Sequence, residues 1–175
     1  MTAQSNTDTI FIRRMQTEDL GKVQEIDRLS FTLPWPDSAY RFELEENPLS
    51  ALWVAEDLSL EPPNRVIGVI VVWFIIDEAH IATLAVHPSY RGFGVAKCLL
   101  TTALKSALDK GMKLATLEVR ANNHAAQALY RHFGFENVGQ RRRYYRDNNE
   151  DAIIMTLNHL DNSIILITEK CGSEV

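Results

Sequence analysis

The sequence predicts an α/β fold built on one mixed, mostly antiparallel central sheet flanked by helices. Two observations carry that prediction. Between residues 51 and 86, three runs rich in β-branched and aromatic residues follow one another, separated by Glu61-Pro62-Pro63-Asn64 and by Asp77-Glu78, the pattern of an antiparallel meander. After Gly94 the period changes from two to 3.6: Ala96, Leu99, Leu100, Ala103, Leu104, Ala107 and Leu108 line one face of a helix that ends near Gly111.

The remaining elements fall into place around these. Ile10 to Arg14 reads as a first strand, and Thr17 caps a helix running to about Ser30, with Leu20, Val23, Ile26 and Leu29 at helical spacing. Thr32-Leu33-Pro34-Trp35-Pro36 breaks the chain, because each proline restricts the residue before it, and Asp37 or Ser38 then caps a short second helix. The meander strands are expected at about Ala51 to Asp57, Val66 to Ile76 and His80 to Val86. Leu114 to Val119 is another strand, and Asn122 or Asn123 caps a short helix through Tyr130 that Gly134 ends. Two final strands lie near Glu136 to Tyr145 and Ala152 to Leu157. The expected order is β-α-α-β-β-β-α-β-α-β-β. Residues 1–9 are expected to be a flexible tail, 10–157 the domain and 158–175 an extension of unknown role, in which Ile164-Ile165-Leu166-Ile167 could add a strand or pack against the body.

Composition narrows the function classes. A chain of 175 residues, 46% hydrophobic and 23% charged, suits one compact domain with a single core. Its net charge of −5 disfavours general binding to nucleic acid and suits a basic substrate. The longest apolar run, Val66 to Ile76, contains a glycine and falls well short of the ~20 residues of a membrane-spanning helix. The polar stretch Met1 to Thr9 shows no secretory pattern, so no membrane role and a cytoplasmic location are expected. Cys98 and Cys171 lie far apart without paired spacing, which makes reduced thiols the expectation, and the five histidines fit no close ligand pattern, so no metal is expected.

The most informative segment is Arg91-Gly92-Phe93-Gly94-Val95-Ala96, between a strand and a helix. A helix start offers unpaired N–H groups and the positive end of the dipole, so a pyrophosphate is a natural ligand there. An ordinary turn with glycines for steric relief is an equal reading of this hexapeptide alone. Two rival phosphate loops fail: no Lys-Ser or Lys-Thr follows Gly94, and Lys97 stands where a dinucleotide fingerprint needs its third glycine.

Arg91, Gly94 and Ala96 fit the Gln/Arg-x-x-Gly-x-Gly/Ala signature of the GNAT acetyltransferases, preceded by Leu84-Ala85-Val86-His87-Pro88. Further on come Leu117-Glu118-Val119-Arg120-Ala121-Asn122-Asn123, Ala128-Leu129-Tyr130, Phe133-Gly134-Phe135, Arg143-Tyr144-Tyr145 and Glu150 to Met155. In this order they resemble the RimI-like ribosomal-protein alanine N-acetyltransferases within that superfamily. The resemblance covers most of the chain from Ile10 to Leu157 and implies the GNAT fold, acetyl-CoA as cosubstrate and a protein N-terminus or another amine as acceptor. It implies that the backbone of Leu84, Ala85 and Val86 pairs with the pantetheine arm, and that the loop of Arg91, Gly92, Phe93, Gly94, Val95 and Ala96 cradles the pyrophosphate. Asn123 would lie beside the donor, Glu118 would be the general base, and Tyr130 would donate a proton to the departing sulfur. Leu33, Pro34, Trp35, Tyr144 and Tyr145 correspond to segments that hold the acceptor. The chain departs from the family in being longer at both ends, in the enlarged Glu61 to Asn64 loop and in a shortened Tyr145 to Glu150 turn.

The chemistry favours an N-terminal amine. The nucleophile must be neutral, and a free α-amine is roughly 10 to 20% neutral at pH 7, against less than about 0.1% for lysine. A carboxylate is a weak base at its ordinary pKa, so Glu118 would need burial or an ordered water. A backbone N–H near Val86 is the candidate donor to the oxyanion. As isolated residues, Glu118 would be a strand-edge charge and Tyr130 a core aromatic; Cys98 reads as a packing residue. Arg141-Arg142-Arg143 should split over the two faces of a strand rather than form an RNA-binding patch. A monomer or weak homodimer is expected. The rival functions are acetylation of lysine, a polyamine or another small amine, and a sensor that binds acyl-CoA without turnover.

Overall fold

Eleven elements appear in the expected order: β1 (Ile10–Arg14), α1 (Leu20–Ser30), α2 (Asp37–Glu45), β2 (Ser50–Asp57), β3 (Val66–Ile75), β4 (Glu78–Val86), α3 (Val95–Asp109), β5 (Leu114–Arg120), α4 (His124–His132), β6 (Glu136–Tyr145) and β7 (Glu150–Leu157). The computed structural model describes residues 9–161 and the backbone of residues 172–173, the latter a short strand β8 (Gly172–Ser173). Residues 164–167, which could add a strand or pack against the body, lie outside the described residues.

The strands form one sheet in the order β6-β7-β5-β4-β3-β2-β1-β8. β1 to β4 are the expected antiparallel meander, with Ile12 opposite Ala55, Trp53 opposite Ile70 and Ile70 opposite Leu84. β5 joins β4 in parallel and is antiparallel to β7, while β8 runs parallel to β1. One face of the sheet packs on α3 through Val95, Leu99, Ala103 and Leu104, with Ile70, Leu117 and Met155 beneath them. Gly68 permits this approach, since a Cβ there would sit 3.0 Å from Leu99 Cδ1. The other face packs on α1 and α2 through Leu20, Val23, Ile26 and Tyr40 against Leu52, Val69 and Val71.

Several boundaries differ from expectation, each for a local reason. Thr17 does not cap α1, because Thr17–Asp19 form a 3-10 turn in which Asp19 accepts the Gln16 N–H at 2.8 Å and pairs with Arg13 at 2.7 Å. Leu29, at the end of α1, is exposed rather than part of its buried stripe. Neither Asp37 nor Ser38 caps α2; Pro36 occupies that position, its carbonyl accepting Ala39 N–H at 2.8 Å. β3 stops at Ile75, since Ile76 takes φ 58° in the turn to β4. Of the two candidate caps of α4, Asn123 is the one, accepting Ala126 N–H at 3.1 Å. The helix ends as expected at Gly134, with φ 88° and a Phe135 N–H to Tyr130 C=O bond of 3.1 Å.

Cys98, on the buried face of α3, is disulfide-bonded, which corrects the expected reduced state. Separation along the chain is not distance in the fold: α3 packs against β1, and β8, which pairs with β1, directly follows Cys171 in sequence. Cys171 itself lies outside the described residues. No helix among the described residues is long and apolar enough to cross a membrane.

Candidate active site

The site begins where two parallel strands part. β4 and β5 pair from Glu78 opposite Leu114 to Ile81 opposite Leu117, and no further, although β4 continues to Val86 and β5 to Arg120. The cause lies in β4. Val71 opposes Thr83 while Val72 opposes Ile81, leaving Ala82 as an extra residue. Such a bulge bends its strand and turns the residues beyond it. His87 N–H still reaches back to Ile67 C=O at 2.9 Å on β3, whereas Val86 C=O accepts from Arg91 Nε at 3.2 Å, away from β3. By strand alternation the backbone groups of Leu84 and Val86 therefore face the gap.

At one end of the gap is a cavity of about 530 Å³ lined by Leu84, Ala85, Val86, Arg91, Gly92, Gly94, Val95 and Ala96 among others. Gly92 and Gly94 both have φ 84°, in the left-handed region that favours glycine. The first bond of α3 is Cys98 N–H to Gly94 C=O at 3.1 Å, so the amides of Val95, Ala96 and Lys97 are not used within the helix. Arg91 and Lys97 are the charged residues of this lining, both cationic in a chain of net charge −5. Arg91 also ties the loop to its surroundings, reaching Ser30 Oγ at 3.2 Å. Phe93 does not line the cavity and is exposed.

The other end is a cavity of about 400 Å³. Leu84, Asn123, Ala126 and Tyr130 line both cavities, as do Ser30 and Phe31, making one continuous cleft. Tyr130 sits at the junction, packed on Phe135 with ring centroids 5.8 Å apart. Its burial, and then the neighbouring Tyr145, push its phenol well above the usual range. Tyr145 lines the same end, and burial raises its phenol to about 12. Glu118 also faces this cavity, one oxygen 3.3 Å from His80 Nε2 and the other 3.3 Å from Arg141 Nε. His80 is stacked on Trp73, and its Nδ1 lies 3.0 Å from Thr116 Oγ1.

Leu33 and Trp35 line this second cavity, but Pro34 and Tyr144 do not. Pro34 is exposed in the bend, and Tyr144 points outward, edge-on to Tyr145. Arg141, Arg142 and Arg143 do not simply alternate: Arg143 takes φ 51° where the register of β6 slips, and all three are exposed. Sequence reasoning missed Asp27, His80, Thr83, Arg120 and Lys97. Asp27, 1% exposed, accepts Trp35 N–H at 2.8 Å and Tyr40 O–H at 2.7 Å, and so holds the Phe31 to Pro36 bend. Among these, Arg120 alone carried a signal, as a charge two residues from Glu118 on the same strand face.

A cleft that is cationic at one end, apolar through its middle and carboxylate-bearing at the other suits group transfer from a long anionic donor to a basic acceptor. A cleft at a β4–β5 split, closed at one end by a glycine loop and a helix start, fits a transferase with a long anionic donor. The chain matches the Acetyltransferase (GNAT) family over residues 20–135 and belongs to it. It is 39% identical over 144 residues, 82% of this chain and 92% of the relative, to a protein of Bacillus subtilis (strain 168) provisionally named a [ribosomal protein bS18]-alanine N-acetyltransferase. To the enzyme of that name in Escherichia coli (strain K12) it is 31% identical over 148 residues, 83% of this chain and 95% of the relative. The crystal structure of the Escherichia coli ribosomal-protein-S18-alanine N-acetyltransferase superposes with a TM-score of 0.76, at 28% identity, covering 87% of this chain and 95% of that one. A chain of the NatC complex bound to Gag peptide and CoA superposes with a TM-score of 0.77, also at 28% identity, over 85% and 98% of the two chains.

Proposed function

We propose that this protein transfers the acetyl group of acetyl-CoA to the α-amine at a protein N-terminus, by direct attack within a ternary complex. The observation that carries the reading is the continuous cleft at the β4–β5 split, with a cationic glycine loop at one end and Glu118 and Tyr130 at the other. The sequence relatives support it, since they are named as enzymes acting on an alanine of ribosomal protein bS18. We assign the same acceptor class here, and with it a reaction in the cytoplasm.

The residues fit the donor. The free amides of Val95, Ala96 and Lys97, with the Arg91 and Lys97 charges, suit a pyrophosphate, and the outward edge of Leu84 and Val86 suits the amides of a pantetheine arm. Attack on the thioester carbonyl moves charge onto its oxygen, which the Val86 N–H is placed to receive. Glu118 takes the amine's proton, directly or through water, while His80 and Arg141 fix its carboxylate. Tyr130 remains protonated and donates a hydrogen bond to the departing sulfur. Its raised pKa makes full proton transfer uphill to a thiolate of ordinary pKa ~8.5, but the same apolar surroundings raise the thiol as well.

The test is CoA-thiol release with short peptides that differ at the first residue, beside the same peptides with blocked N-termini and free lysines. Release that needs a free N-terminus supports the proposal. Release only with lysine or a polyamine overturns the acceptor, and tight acetyl-CoA binding without release from any amine overturns turnover itself.

A further inference from the structure

Arg120, the last residue of β5, joins the two walls of the acceptor-side cavity through one guanidinium. Its Nη2 lies 2.8 Å from Asp147 Oδ2 and 3.3 Å from Thr32 Oγ1, and its Nη1 lies 3.1 Å from Glu150 Oε2. Its Cζ is 3.9 Å from the centroid of the Tyr145 ring. Thr32 belongs to the bend that supplies Phe31, Leu33 and Trp35 to one wall, while Tyr145, Asp147 and Glu150 belong to the β6–β7 hairpin on the other. Thr32 also donates a hydrogen bond directly to Asp147, closing the span. Glu150 in turn accepts Asn122 N–H at 2.8 Å, so the same network reaches the start of α4, the helix that carries Tyr130.

From this arrangement we infer that Arg120 is a positioning residue that fixes the separation of the acceptor walls and so selects acceptors with a small first side chain. The inference rests on the N-terminal reading proposed above. A planar guanidinium can bridge two carboxylates, meet a hydroxyl and stack on a ring at once, which an ammonium cannot. A larger first side chain gains room only by parting the bend from the hairpin, and that breaks the Thr32–Asp147 and Arg120 contacts together. None of Arg120, Thr32 and Asp147 lines the donor cavity, so the effect is expected on the acceptor.

The experiment compares the wild type, Arg120→Lys, Thr32→Val and Asp147→Asn on peptides beginning with alanine and with leucine, beside acetyl-CoA affinity by calorimetry. Each variant should raise the KM of the alanine peptide and lower the alanine-to-leucine ratio of kcat/KM by about tenfold, with acetyl-CoA affinity unchanged. Should Arg120→Lys fail to fold, Thr32→Val and Asp147→Asn carry the test, since both keep the Arg120–Glu150 pair. Wild-type turnover of peptide N-termini with an unchanged ratio in the variants overturns the inference and leaves the proposed function standing. A wild type that acetylates no peptide N-terminus overturns both.

Discussion

The two ends of the cleft are built in opposite ways. The end proposed for the donor is made largely from one continuous stretch, Leu84 to Lys97, and offers backbone groups: the outward edge of β4 and the first amides of α3. The end proposed for the acceptor is assembled from distant segments, among them Phe31 to Trp35, Ala82 and Thr83, Glu118 to Arg120, and Tyr145, and offers side chains. A backbone site tolerates most substitutions outside its glycines, whereas a side-chain site can be retuned one residue at a time. One donor with variable acceptors is the outcome such a division permits.

Perturbing the junction should affect both ends at once. Tyr130→Phe removes the hydroxyl but keeps the packing on Phe135, so kcat should fall by at least about 100-fold with both KM values little changed, measured by steady-state CoA release. A large rise in one KM alone would show that Tyr130 belongs to that end and would break the comparison.

The acceptor end comes next. Asp27→Ala leaves the Trp35 N–H and Tyr40 O–H without their acceptor in a buried setting, costing about 2 kcal/mol. Burial alone raises the Asp27 carboxyl despite those bonds, so the loss is partly offset by removing a desolvated charge. Denaturant unfolding reads the stability, and the acceptor KM should rise while the donor KM holds. Gly94→Val acts at the opposite end. Forcing a β-branched residue to φ 84° strains the turn, and calorimetry should show acetyl-CoA affinity reduced by about tenfold. Loss of acceptor discrimination in Gly94→Val would mean the ends are not separable.

The same division explains what could be read from sequence. The donor loop is local, so its glycines, small residues and following helix stand together as a motif, and the structure places Arg91, Gly92, Gly94, Val95 and Ala96 on one cavity. The meander and the switch to helical period were legible for the same reason. The bulge at Ala82 left no mark, because nothing in Ile81-Ala82-Thr83 departs from an ordinary strand and only the register with Val71 and Val72 reveals it. The clamp on the bend by Asp27 and the pairing of His80 with Glu118 were equally hidden, since each joins residues from separate elements. Pro34 and Tyr144 show the converse: their segments reach the cavity, but neither residue is part of its lining.

The smallest expected effect is an absence of change. Tyr130 is buried with its phenol raised above the usual value near 10, chiefly by desolvation. A raised folded pKa means that the native state keeps its proton where the unfolded chain has lost it, so this contribution to stability is complete below pH ~10 and declines as pH rises beyond it. Tyrosinate absorbance measured from neutral pH up to pH ~10 should therefore be the same in the wild type and in Tyr130→Phe. A signal missing from the variant in that range would show Tyr130 ionising like an exposed phenol. The junction would then be open to water, the argument that the departing thiol is itself raised would fail, and the two ends would meet in solvent rather than in an apolar waist.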